Sequence, residues 1–240
     1  MKPKKTVSGP WNQGIYDISA EATEIVGTVR EDLRGNKYAY SRAGAANLAV
    51  AIATVAADLD TDVLDCNMAA AAAIGDTTVD ITVTSTTVAK DYFRGGDFLV
   101  NDGTGEGHRY MIIHSSAVAA GTAITLTLDD PIRVALATGG TSQVSLIQSP
   151  YMGTVISAID QADLFTGVPM AAVTATYYYW SQIAGIAAVW QDEAVAKGAA
   201  VTIGSATAGQ TEAVDLIGEA QIGIQMQTGV IAEYQPVKLG

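Results

Sequence analysis

Thr77-Thr-Val-Asp-Ile-Thr-Val-Thr-Ser85 alternates β-branched with polar residues, and the 66 residues after it keep the same habit. Tyr92-Phe-Arg-Gly-Gly-Asp-Phe-Leu-Val100 leads into the glycine turn Asn101-Asp-Gly-Thr-Gly-Glu-Gly107. His108-Arg-Tyr-Met-Ile-Ile113 then runs back, and Ala123-Ile-Thr-Leu-Thr-Leu-Asp-Asp-Pro131 adds a run that Pro131 stops. Period-two alternation bounded by Gly, Asp and Asn is the pattern of half-buried antiparallel sheet. The segment up to Tyr151 therefore reads as strand, turn, strand, with almost no chemistry in it.

On the amino-terminal side, residues 1–20 carry Gly9, Gly14, Pro3 and Pro10 without usable periodicity. They read as an extended arm that is ordered only if something holds it. Glu24-Ile-Val-Gly-Thr-Val-Arg30 and Lys37-Tyr-Ala-Tyr-Ser-Arg42 predict a hairpin with Gly35-Asn36 at its tip. Residues 43–57 fit helical and alternating spacing alike; the large/small alternation around Leu48, Val50 and Ile52 favours a loop and strand. On the carboxyl-terminal side, Thr141–Gln148 predicts a strand before Pro150. Thr176–Ile183 and Ile186–Trp190 predict two apolar strands of a hairpin around Gly185. Lys197–Gly204 and Gly218–Met226 continue in kind. The expected fold is all-β: two β-sandwich or barrel-like units, an extended N-terminal arm and little helix. The expected boundaries are an arm at 1–20, a body of 21–64 with 149–240, and an inserted β domain at 65–148.

The chain has 240 residues, 49% of them hydrophobic, which is enough for a real core. Its net charge of −12 is uneven. Residues 1–42 hold seven bases (Lys2, Lys4, Lys5, Arg30, Arg34, Lys37, Arg42) against five acids (Asp17, Glu21, Glu24, Glu31, Asp32). The remainder is strongly acidic, which argues against a nucleic-acid partner, since neutralising phosphates needs clustered Lys and Arg. Cys66 is the single cysteine, so CxxC zinc sites and an intrachain disulfide are excluded. No apolar core follows the basic start, and the longest apolar run, Leu48–Ala57, is too short for a membrane helix. A soluble protein without a membrane partner is expected.

Candidate chemistry is thin. Asp102, Glu106, His108 and His114 cluster in sequence and could offer ligands to a metal, but the spacing fits no EF-hand loop. Gly103, Gly105 and Gly107 are better explained as turn residues with positive φ. His108 and His114, six apart, would share a face of one regular strand. Neither G-x-S-x-G nor a phosphate-binding glycine motif occurs, and Asp129-Asp130 before Pro131 reads as a turn. No catalytic residue, metal or cofactor is expected, and the chain reads as not an enzyme. Aromatics remain: Tyr177 and Tyr179 face one way on a strand, Tyr178 and Trp180 the other. One pair suits the core and the other a subunit contact, where Tyr and Trp are enriched. Tyr177, Tyr179, Trp180 and Trp190 are the interface candidates.

Several blocks resemble a group of tailed-phage virion proteins. They are Arg34-Gly-Asn-Lys-Tyr-Ala-Tyr-Ser-Arg-Ala-Gly-Ala-Ala-Asn-Leu-Ala49 and Gly95-Gly-Asp-Phe-Leu-Val-Asn-Asp-Gly-Thr-Gly-Glu-Gly-His-Arg-Tyr-Met-Ile112, with Tyr178–Val189 and Ala199–Gly209 similar to that group's carboxyl-terminal hairpins. The group looks like capsid decoration (cement) proteins of the outer head surface. The resemblance implies a virion structural protein, often a homotrimer, whose partner is the major capsid protein. It also implies a capsid-proximal body and an inserted outer knob. On that reading Lys2, Lys4, Lys5, Trp11, Arg30, Arg34, Lys37 and Arg42 are the candidate capsid contacts. One alternative is a tail or head-fibre component with receptor or glycan affinity; another is a carbohydrate-binding or cell-surface β module whose glycan binding depends on Tyr178 or Trp180.

Overall fold

The computed structural model describes residues 11–83, 86–159, 163–217 and 219–240. Among them the regular structure is β apart from one 3-10 turn, Thr61–Val63. The strands in chain order are β1 (Val29–Glu31), β2 (Lys37–Ala43), β3 (Thr54–Val55), β4 (Cys66–Asn67), β5 (Thr78–Thr82), β6 (Asp97–Gly103), β7 (Arg109–Ser115), β8 (Ala123–Leu128), β9 (Ser142–Ile147), β10 (Met152–Ile156), β11 (Phe165–Pro169), β12 (Tyr178–Trp190), β13 (Ala200–Ile203), β14 (Thr211–Ala213), β15 (Gly223–Gln225) and β16 (Tyr234–Leu239). The all-β expectation holds. Residues 43–57 form a loop and the short β3.

The chain divides into two compact units. One is Asp58–Ser149, and the other joins the chain up to Ala57 with Pro150–Gly240. The inserted unit takes in residues 58–64 because the 3-10 turn sends Val63 into that unit's core. Its strand order is β4-β9-β6-β7-β8-β5, antiparallel throughout. The two ends of this sheet meet at the bridge Met68↔Ile81, supported by Ala69 N–H donating to Asp80 O at 2.8 Å. Closing the sheet on itself leaves no long free edge for a stray strand to join. Val79, Ile81, Phe98, Val100, Tyr110, Ile112, Ile124 and Leu126 alternate into its core.

The other unit has the order β1-β2-β10-β3-β11-β12-β16-β15-β13-β14, with β2 also paired to β12. That extra pairing closes β2, β10, β3, β11 and β12 into a ring. A second ring forms where Gln191, just past β12, bridges Thr211 of β14; it comprises β12, β16, β15, β13 and β14. The thirteen-residue β12 is thus a wall of both rings. Its amino-terminal half runs against β2, and Gly185–Trp190 runs against β16.

The two rings are filled differently. A five-stranded ring is narrow, and each strand of the first one contributes a buried hydroxyl: Ser41, Thr54, Thr154, Thr166, and Tyr179 with Ser181. Tyr179 Oη lies 2.8 Å from Thr154 Oγ1, and Thr54 Oγ1 donates to Gly167 O at 2.8 Å. Burial pushes the Tyr179 phenol up to about 12, so it stays protonated. The second ring is filled by Ala187, Val189, Val195, Val201, Val237 and Leu239.

Three expectations differ from the structure. Gly185 is not the turn of a hairpin; it lies inside one continuous strand. Its φ of +92° and the register shift between Gln182 and Ala184 mark a bulge where β12 exchanges one partner for another. Nor do Gly35-Asn36 form the hairpin tip. Asn36 is buried, and its Oδ1 accepts the Ile186 N–H at 3.1 Å beside the bulge. The hairpin's first strand is also shorter than expected, since Ile25–Thr28 form a turn. A Cβ at position 185 would sit 2.2 Å from Asn36 Oδ1 and 2.9 Å from Asn36 Cα. Gly185→Ala should therefore cost about 2–4 kcal/mol in urea unfolding. Ala188→Gly, on the same strand, should cost about 1 kcal/mol or less.

Candidate functional site

The register of β2 and β12 sorts their side chains into two faces. Ser41↔Tyr179 and Ala39↔Ser181 point into the first ring, while Tyr38↔Gln182, Tyr40↔Trp180 and Arg42↔Tyr178 point outward. Arg30, opposite Tyr38 on β1, joins the outward set. Such a face would expose four aromatic rings, yet Trp180 and Tyr40 are both 0% exposed. What covers them is the segment from Trp11 to Ser19.

Gln13 is the anchor of that strap and is itself only 4% exposed. Its side-chain amide donates to Asp17 O at 2.8 Å and to Tyr178 O at 3.1 Å, and its Oε1 accepts the Tyr40 hydroxyl at 2.9 Å. Its backbone carbonyl accepts both Trp180 Nε1–H and Arg30 Nη1–H, each at 3.1 Å. The Tyr40 hydroxyl in turn accepts the Thr23 N–H at 3.0 Å. Trp11 lays an edge on Trp180 at 5.3 Å, and Tyr40 does so at 5.0 Å. The Arg30 guanidinium lies 4.9 Å from the Trp180 ring centre, 5.4 Å from Trp11 and 5.8 Å from Tyr38. Ser19 and Tyr178 close the strap with a pair of backbone bonds.

Burial lowers the Arg30 pKa, and the neighbouring Tyr38 and Asp32 oppose that; it remains a cation stacked among rings. Burial raises the phenols of Tyr38 and Tyr40. Arg42 donates to Thr176 O at 3.1 Å and stands 5.7 Å from the Tyr178 ring centre. Arg30 and Arg42 are thus committed within the chain, whereas Arg34 and Lys37 are exposed on the hairpin. Lys2, Lys4 and Lys5 lie outside the described residues. Tyr179 and Trp180 are sealed inside the unit, so neither offers surface to a second subunit. Tyr177 is half-buried against the cluster of Ala43, Leu48, Val173 and Tyr179, and Trp190 is half-buried with an edge-on contact to Tyr234 at 4.6 Å.

The residues weighed for a metal do not come together as a ligand set. Asp102 Oδ1 accepts the Gly103 N–H, His108 Nδ1 faces Gly105 O at 2.9 Å, and His114 Nδ1 contacts Asp91 Oδ1. A bulge between Ile112 and His114 sends Ser115 inward and His114 outward, so the two histidines lose their shared face. Among the described residues no group of three His, Cys, Asp or Glu could hold an ion. Burial pushes the Cys66 thiol up.

Sequence reasoning missed Gln13 and Asp32. Nothing in a lone glutamine marks a buried anchor, but Asp32 followed by Gly35-Asn36 is a turn signature. Both Asp32 oxygens are used: Oδ1 accepts the N–H groups of Arg34 and Asn36, and Oδ2 accepts Asn36 Nδ2 and Tyr38 Oη. These bonds, the Asn36 side chain first, lower its pKa. Comparison with known proteins returns no match: no family model fits the chain, and no curated protein or solved structure is similar to it.

Removing the Gln13 side chain in Gln13→Ala should cost about 2–3 kcal/mol. The strap should loosen, seen as a red-shifted Trp11/Trp180 emission and faster amide exchange at residues 13–19. Asp192, at the end of the second ring, behaves oppositely to Asp32: burial, then Glu212 and Glu193, raise its pKa. A folded-state value above the unfolded one means that folding gains from the proton. That gain is full below the ordinary carboxylate range and is lost as pH rises through the raised value. Asp192→Asn should raise the Tm at pH 7, and the difference should shrink toward zero near pH 3.

Proposed function

We propose that the chain is a structural decoration protein that binds the outer surface of a tailed-phage head. It stabilises contacts between capsomers, acts as a homotrimer and takes the major capsid protein as its partner. The observation that carries this reading is the preformed corner at the β1–β2 end of the larger unit. Strap and hairpin are locked to each other around Trp180 and Gln13, and the hairpin carries Arg34 and Lys37 exposed on an otherwise acidic chain. The protein therefore brings a finished contact surface to its partner and orders little on binding. The choice of partner comes from the expectation that the sequence blocks at 34–49, 95–112, 178–189 and 199–209 raise. Binding an assembled lattice more tightly than free capsomers stabilises the lattice by mass action, and a modest contact is repeated at every site.

The fibre or glycan alternative needs open ring faces at Tyr178 or Trp180. Trp180 is sealed beneath the strap, and Tyr178 stacks on Tyr40 at 5.9 Å with Arg42 beside it. Neither is a platform for a sugar ring.

The test is co-sedimentation of purified protein with shells of the encoding phage assembled without it. Saturation is expected at a multiple of three copies per asymmetric unit, with weaker binding after deletion of residues 1–10, which spares the Gln13 clamp. Failure to bind, or a handful of copies per particle, would sink the proposal.

A further inference from the structure

The hairpin between β1 and β2 ends in the turn Asp32-Leu33-Arg34-Gly35, closed by Gly35 N–H donating to Asp32 O at 3.0 Å. Its outer positions follow turn chemistry: Asp32 accepts backbone N–H groups with its side chain, and Gly35 has φ +80°. The two corner positions do not. Leu33 stands 107% exposed where a turn favours Pro, Ser or another small polar residue, and Arg34 beside it is exposed as well. A lone exposed leucine is ordinary on a surface. Here the surrounding turn is closed by its own hydrogen bonds and otherwise locally consistent, so the two corner residues that break the pattern point to use.

Three features fix this corner in space. All four bonds to the Asp32 carboxylate come from within the turn and its base, so that carboxylate has no capacity left for Arg34. Asn36 ties the base of the turn to Ile186 N–H at the β12 bulge. Lys37 faces Glu31 across the hairpin, leaving Arg34 as the cation without an opposite charge in register at the tip. We propose that Leu33 and Arg34 form a preorganised plug that enters an apolar socket bordered by a carboxylate on the partner protein. The inference rests on the proposed function for its partner, the assembled shell. It moves the principal contact from the basic arm to a two-residue corner. Asp32 and Asn36 act as positioning residues; the corner pays no ordering entropy when it docks.

The test uses the full chain and shells of the encoding phage assembled without it. Burial of one leucine corresponds to a tenfold to roughly hundredfold change in affinity. Leu33→Ala should weaken binding by about that factor and Leu33→Asp by more, with Tm and near-ultraviolet circular dichroism unchanged because the side chain touches only solvent. Arg34→Glu should weaken binding at low salt and less at high salt. Asp32→Asn keeps Leu33 but loses the acceptor that Asn36 Nδ2 and Tyr38 Oη use, and should weaken binding severalfold. Ile217→Asp is the control, since Ile217 is as exposed on the same unit. Unchanged binding by Leu33→Ala beside normal wild-type binding overturns the plug and leaves the proposed function standing. Equal losses from Leu33→Asp and Ile217→Asp overturn it too, as general stickiness. Absence of wild-type binding overturns both.

Discussion

One residue without a side chain allows the larger unit to exist as it does. β12 must leave β2 and take up β16 without breaking, because it walls two rings in succession. The exchange needs a bulge, a positive φ and room for the Asn36 side chain, and only glycine supplies all three at position 185. The Asn36 carboxamide then does with hydrogen bonds what a ladder would otherwise do. It accepts the Ile186 N–H and donates to Asp32, so the bulge and the hairpin turn share one brace. A defect in the sheet and a protruding tip are thereby parts of one construction.

The first ring explains the strap. The interior of this ring is taken up by Tyr179 and the hydroxyls around it rather than by aliphatics. The alternation of β2 and β12 puts Tyr40 and Trp180 on the outward face, where they would meet water. Covering two such rings is worth several kcal/mol. The strap does this while using Gln13 to satisfy the Trp180 N–H, the Tyr40 hydroxyl and the Arg30 guanidinium together. Buried polar groups left unpaired would offset most of that gain, which is why one glutamine with all its capacity used suffices.

The strands of residues 77–151 were legible because each turns one face to a core and one outward, so period two appears in plain sequence. Thr78–Thr82 and Ala123–Leu128 are clear instances. In β12 both faces are buried over Tyr179–Gln182, so alternation disappears and the glycine looked like a turn. A strand whose two faces meet a hydroxyl-lined interior and an aromatic cover carries no period to read. The same loss of alternation hid the fate of Tyr179 and Trp180, which seemed to leave one ring for a subunit contact. Gln13 was illegible for another reason. Its partners lie up to 167 residues away, and no local pattern announces a long-range anchor.

The division of labour among the cations has a consequence for how the chain meets other molecules. Arg30 and Arg42 have carbonyl partners and ring faces of their own, so removing either from its place would forfeit packing as well as charge. Exposed Lys and Arg pairs contribute at most about 1 kcal/mol each, and salt weakens them further. Arg34 and Lys37 alone therefore cannot supply tight binding to a partner surface. A contact built at this corner has to draw its strength from apolar burial, from a geometry set before binding, and from repetition across many copies. The hairpin turn meets the first two demands through Leu33 and Asp32, and under the proposed function the repeated lattice of a shell would meet the third.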